Sequence, residues 1–233
     1  MQCSWVLVVG FYSFLQETAH QYPTLKENFE FIYPTILSRL QKGDTLLDIG
    51  CFLGHDLRRA VFDGAPSDKL YGVDVVDHWT LGYEFFRDSG RFSAKFIECD
   101  VLTPNNELQS LYGKIDIICV TSLLHQWEWE GQVVAAKQLV SFSRPGTIVT
   151  GHQIGTSDGA SKEKSGKDTS FSWMRQDPKT WAEMWDEVGK ATGTEWKSDA
   201  HLRTFEERGL DKESLTYLGE HARLLEFVVY RIR

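Results

Sequence analysis

Five short apolar runs, at residues 45–49, 70–75, 94–98, 115–121 and 147–151, recur through the middle of this chain with room for a helix between them. Each is bounded by Gly, Pro, Asp or Lys, as strands buried on both faces of a parallel sheet tend to be. The intervening stretches show helical spacing. Leu57, Ala60 and Val61 fall on one face in 56–62, and Val133, Ala136, Leu139 and Val140 do the same in 132–142. Strict β-α alternation leads to a doubly wound α/β sheet with right-handed crossovers. A helix at 178–192 and two further strand-like segments, 196–205 and 223–233, follow. A dinucleotide dehydrogenase domain closes on another parallel strand. A terminal antiparallel pair points instead to a Rossmann-like, seven-stranded and mostly parallel sheet, with an antiparallel C-terminal strand and helices on both faces.

The 233 residues suffice for one substantial core. Residues 1–40 read as an N-terminal cap and 41–233 as the main domain. Within the cap, Phe29, Ile32, Ile36 and Leu40 share a helical face that Pro34 interrupts, which predicts two helical pieces or one kinked helix. The Gly-, Ser-, Lys- and Asp-rich stretch 156–172 reads as a lid, mobile without ligand, with residues 22–33 closing from the other side. A net charge of −8 and the absence of a long basic run exclude a phosphate-tracking nucleic-acid binder. Cys3, Cys51, Cys99 and Cys119 form no CxxC pair, so buried reduced thiols in a cytoplasmic protein are expected, with no metal. Apolar residues 5–15 lack a basic flank and are too short to span a bilayer. No membrane association is expected. The segment packs on the body of the protein or offers a homodimer contact.

After the first strand, Asp48-Ile49-Gly50-Cys51-Phe52-Leu53-Gly54 leads into a helix. Gly50 permits a sharp turn and Gly54 a close approach. A diphosphate ligand needs a small residue in the middle of such a loop, so that backbone amides reach the phosphate. Phe52 fills that space, which predicts a nucleoside ligand without a phosphate. S-adenosylmethionine fits, with Asp48 as partner for its ammonium and the loop backbone around Gly50, Cys51, Phe52 and Gly54 as its cradle. Asp74 ends the second strand one βα unit later and suits the ribose hydroxyls. Asp100, at the end of the third, suits an adenine amine, with Val101 packing the ring. Thr121 ends the fourth strand, at the edge where ligands of open α/β sheets bind.

The segments "KGDTLLDIGCFLGHDLRRAVFDGAPSDKLYGVDVV", "LLHQWEW", "AAKQLVSFSRPGT" and "MWDEVGKATGTEWK" resemble the fungal secondary-metabolite methyltransferases, including those of meroterpenoid pathways. The likeness covers roughly residues 22–230. It implies a class I methyltransferase fold, S-adenosylmethionine as cofactor, and cofactor contacts at Asp74-Val75, Asp100-Val101 and the glycine loop. Several members of that group are O-methyltransferases and some form methyl esters, so a small-molecule hydroxyl or carboxyl is the expected acceptor.

Methyl transfer is an in-line displacement that requires alignment, plus a base when the nucleophile is a hydroxyl. His125, just beyond the fourth strand, is the best placed base, with an ionisation expected near neutrality. His152, beyond the fifth, is the next candidate and a substrate contact. Trp127 and Trp173 lie in connecting segments and suit an aromatic wall, whereas Trp181 and Trp185, four apart on a helix, read as core. Arg175 is either a partner for a substrate carboxylate or a surface arginine. The rival readings are a methyltransferase-like regulatory subunit without catalysis and a nicotinamide oxidoreductase. Intact Asp48, Gly50, Gly54 and Asp74 count against the first, and Phe52 against the second.

Overall fold

The computed structural model describes residues 32–160, 174–211 and 213–233. Seven strands form one sheet: β1 (Leu46–Ile49), β2 (Leu70–Asp74), β3 (Lys95–Glu98), β4 (Ile115–Val120), β5 (Ser143–Thr156), β6 (Trp196–Arg203) and β7 (Ala222–Arg231). Their order is β3-β2-β1-β4-β5-β7-β6. The pairs from β3 to β5 are all parallel, and β7 runs antiparallel to both β5 and β6. This is the sheet expected from the sequence, with the C-terminal strand inserted rather than added at the edge.

Neighbouring residues of the central strands face opposite cores. Leu47, Ile118 and Val120 pack with Ala136 and Leu139 of α5 (Trp129–Phe142) and with Trp181, Trp185 and Val188 of α6 (Pro178–Thr192). Leu46, Ile117 and Cys119 pack on the other side, against α1 (Tyr33–Gln41) and α2 (His55–Phe62) and against Trp79 at the start of α3 (Trp79–Phe86). Burial on both faces is why these strands read as unbroken apolar runs. A short α4 (Asn106–Gln109) precedes β4.

Pro34 opens α1 instead of interrupting it, because proline is tolerated in the first turn, where no intrahelical donor is needed. Ile36 and Leu40 of α1, residues of the anticipated cap, are part of the second core. The preceding residues lie outside those described, as do most of the anticipated lid and Trp173. No helix among the described residues is long and apolar enough to cross a membrane.

β5 is much longer than the sequence suggests. Its pairing with β4 jumps from Ile115↔Ser143 to Ile117↔Ile148, an irregularity that absorbs Pro145 and Gly146. On its other edge it pairs with β7 over nine residues, Ile148↔Tyr230 to Thr156↔Ala222, so that Ile148–Thr150 are paired on both sides. Gly151 lies where β5 passes closest to β4. A Cβ built there falls 1.9 Å from the Val120 carbonyl oxygen, so the backbone would have to move. We expect Gly151→Ala to cost about 2–3 kcal/mol of folding stability. Chemical denaturation reads this directly, and an unchanged midpoint would refute the tight apposition of β4 and β5.

Candidate active site

The loop after β1 is held by its own backbone. The Gly50 and Cys51 N–H groups both donate to the Val73 carbonyl, at 2.9 and 3.2 Å, and Gly54 N–H donates to the Cys51 carbonyl at 2.7 Å. The Phe52 N–H donates to Asp74 Oδ2 at 2.9 Å, while the other oxygen of Asp74 accepts the Val75 N–H at 2.8 Å. Gly50, Phe52 and Gly54 all take positive φ, of 77°, 47° and 67°. For Phe52 this conformation costs of order 1–3 kcal/mol and persists because the surrounding bonds over-determine it. The Phe52 ring packs edge-on against His78 at 4.8 Å.

Cys51 lies beneath this loop, where its Sγ accepts the Trp79 indole N–H at 3.3 Å. Burial pushes its thiol well above the usual range, so its part in the site is its backbone. Asp48 is only 4% exposed. Burial raises its carboxyl above the usual carboxylate range, and the neighbouring charges of Asp56 and Asp74 add to the effect. No cationic side chain among the described residues pairs with it. A buried acid in this state is relieved by a cationic group placed beside it.

At the end of β3, Asp100 Oδ1 accepts the Leu102 N–H at 2.8 Å, and its second oxygen remains available on an exposed turn. The Val101 side chain is turned into the core with Leu108 and Leu111, which leaves it little surface for a ligand, whereas Val75 is exposed. Thr121 Oγ1, one residue past β4, is buried and has no hydrogen-bond partner among the described residues.

The loop after β4 faces the loop after β1: Leu123 stands 3.7 Å from where a Gly50 Cβ would be. Its second residue, Ser122, is strained, with φ 52°. The Ser122 N–H donates to the His152 carbonyl at 2.7 Å, and its Oγ is 3.4 Å from His152 Nε2. His125 follows in the 3-10 turn Leu124–Gln126, and its buried Nδ1 has no partner among the described residues. Burial, then the charges of His152 and Arg175, lower the His125 pKa to about 3. Burial and Arg208 lower that of His152 to about 4. The ionisation near neutrality expected for His125 is thereby corrected: desolvation makes its charged form too costly, and both imidazoles are neutral at working pH.

Arg175 is not a surface arginine. It is partly buried, and its Nη1 donates to the Leu218 carbonyl. Arg208 makes a two-pronged ion pair with buried Glu226, the residue opposite His152 in the β5–β7 pairing. Trp127 is partly buried beside this region. Its carbonyl accepts the Met174 N–H at 3.1 Å and Gln132 Nε2 at 2.9 Å, and buried Gln176 donates on to Gln132 Oε1 at 2.6 Å. Trp181 and Trp185 are core, as expected. Sequence reasoning missed Ser122, the Gln132–Gln176 clasp and the Arg208–Glu226 pair. Only the polar glutamine on an apolar helical face gave any signal.

No family model matches this chain. It is 36% identical over 88% of its length to the O-methyltransferase phiE of Fungal sp. strain ATCC 74256, and spans 66% of that protein. It is 35% identical over 84% of its length to the Asnovolin E/Chermesin D methyltransferase nvfJ of Aspergillus novofumigatus, and spans 70% of it. The chain therefore spans about two thirds of the length of these relatives. Among solved structures, the 1,6-didemethyltoxoflavin-N1-methyltransferase of Burkholderia thailandensis, with S-adenosylhomocysteine bound, is similar at TM-score 0.60 and 14% identity. That likeness covers 98% of this chain and 88% of the other, and it shows the class I methyltransferase fold.

The neutral imidazoles link stability to pH. An unfolded histidine takes up a proton below about pH 6.5, whereas His125 and His152 do so only near 3 and 4 in the folded chain. Their contribution is present in full above about 6.5 and is lost as pH falls towards 4, by up to about 1.4 kcal/mol per pH unit for each. Denaturant unfolding at pH 7 and pH 5 should show a smaller loss in a His125→Gln/His152→Gln double variant than in wild type. Equal losses would mean that the two rings titrate normally.

Proposed function

Because the chain belongs to the fungal secondary-metabolite methyltransferase family, we propose that it is an S-adenosylmethionine-dependent O-methyltransferase acting on a hydroxyl or carboxyl of a small metabolite. The observation that carries this reading is Asp48, a buried carboxylate without a countercharge beneath a loop bent by three positive φ angles. Its chemistry fits the ammonium of the cofactor. The N–H groups of Gly50, Cys51, Phe52 and Gly54 hold the loop itself, so the first-turn N–H groups of α2, which the helix leaves unused, are the ones that suit the cofactor carboxylate. Asp74 spends one hydrogen bond per oxygen on the backbone and keeps lone pairs for ribose hydroxyls. When bound, S-adenosylmethionine supplies an electrophilic methyl group.

On the acceptor side, His125, His152 and Arg175, with Trp127 and Trp173 as walls, orient the small molecule. The low basicity of buried His125 favours a carboxyl acceptor, which is already ionised near pH 7 and needs no base. Neutral imidazole N–H groups then donate to the acceptor oxygens, and the guanidinium of Arg175 favours its negative charge. We assign the protein to the cytoplasm on its buried free thiols, Cys51 and Cys119.

Calorimetry with S-adenosylhomocysteine should show binding, weakened in Asp74→Ala by about 1.5–3 kcal/mol. Wild-type affinity in that variant would remove Asp74 from the site. With a carboxyl acceptor, His125→Ala should slow turnover by about tenfold or less, and the rate should be flat between pH 6 and 8. A loss of about 10²–10⁴-fold, with a rate that rises through neutrality, would instead establish a hydroxyl acceptor and a histidine base.

A further inference from the structure

The outer half of the cofactor loop is gripped from below by an arginine that takes no part in the reading above. Arg58, on the second turn of α2, has only 8% of its surface exposed. Its guanidinium carbon stands 4.3 Å from the ring centre of Phe92, 4.9 Å from Phe86, 5.1 Å from Tyr83 and 5.6 Å from Trp79. Nε donates to Asp88 Oδ2 at 2.7 Å, and Nη1 donates to the main-chain carbonyl of Leu53, inside the loop.

An apolar side chain would fill a box of aromatic rings at least as well, without the cost of burying a charge. What arginine adds is direction. Its planar fork reaches Asp88 on one side and the Leu53 carbonyl on the other, which neither an aliphatic chain nor a point-charge ammonium does. Gly82 of α3 packs directly beside this contact: a Cβ on it would lie 2.8 Å from Leu53 O and 3.2 Å from Arg58 Nη1. A Cβ on Gly54 would lie 3.0 Å from the same nitrogen. Asp74 fixes the loop at Phe52, and Arg58 fixes it one residue later.

We propose that Arg58 is a positioning residue for cofactor binding: by holding the Leu53 carbonyl against Gly82, it sets the course of the loop from Phe52 to Gly54. This rests on the reading of that loop as the S-adenosylmethionine site. Arg58→Lys keeps the charge beside Asp88 and the aromatic rings but loses the fork. Its affinity for S-adenosylhomocysteine, measured by calorimetry, should fall about tenfold, the worth of one charge-assisted hydrogen bond. Gly82→Ala places a methyl group 2.8 Å from the Leu53 carbonyl oxygen and 3.2 Å from Arg58 Nη1, so it perturbs the same contact with the arginine retained, and should weaken binding similarly.

Hydrogen exchange separates positioning from general destabilisation. In both variants the peptide covering 50–58 should exchange faster, while peptides from β4 and β5 keep wild-type protection. Wild-type affinity in both variants, or faster exchange throughout the chain, overturns the proposal. A wild-type protein that does not bind S-adenosylhomocysteine overturns the reading of the loop itself, and this proposal with it.

Discussion

One carboxylate decides where the first loop of the sheet goes. Asp74 ends β2 and accepts a backbone N–H from each of two segments, Phe52 in the loop after β1 and Val75 in its own. Charge-assisted bonds of this kind are about twice as strong as neutral ones. Together with the paired donation of Gly50 and Cys51 to Val73, they hold Phe52 in a conformation it would otherwise avoid. The loop is thus rigid through its main chain. Its side chains are left for other work, with Cys51 turned down into the core and Phe52 against His78.

The crevice between the loops after β1 and β4 has two electrostatic characters. Asp48, Asp56 and Asp74 gather on the cofactor side, close enough to raise the carboxyl of Asp48. On the other side, the guanidiniums of Arg175 and Arg208 reach the imidazoles of His125 and His152. A cationic methyl donor and an anionic acceptor would each meet complementary charge, and the field between the two sides would orient them before any contact is made. The neutrality of the histidines belongs to the same arrangement, since a second positive charge beside Arg175 or Arg208 in a poorly solvated position would be costly.

Much of this was legible in the sequence where the cause is local. The central strands read correctly because burial on both faces makes an unbroken apolar run. The limits of α6 read correctly because Pro178 starts it, Asp177 and Thr180 cap each other, and Gly193 ends it at φ 68°. The sequence placed Asp48 in β1 and Asp74 at the end of β2, where the fold has them. The extension of β5 was not legible, because Pro145-Gly146 signals a turn and only pairing with β4 carries the strand through it. The burial of Arg58 was not legible, since its aromatic box comes from α3 and the segment after it. Gln132 and Gln176 are 44 residues apart, and their bond has no sequence signature. The position of His125 was readable, but its ionisation was not, because burial is a property of the assembled fold.

The place of β7 has a consequence for the order in which the molecule is made. It lies between β5 and β6, so β6 has no hydrogen-bonding neighbour until the strand that follows it in the chain has been synthesised. The β1–β4 half assembles from sequential βαβ units, whereas the other half waits on contacts between residues far apart in sequence, which form slowly. During synthesis the chain therefore passes through a stage in which the loop after β1 is already shaped. The far end of β5, with His152, still lacks the Glu226–Arg208 pair at its side. Ligand binding at that stage would stabilise the first half before the second exists, so the cofactor that serves the finished enzyme would also act as a template for its folding.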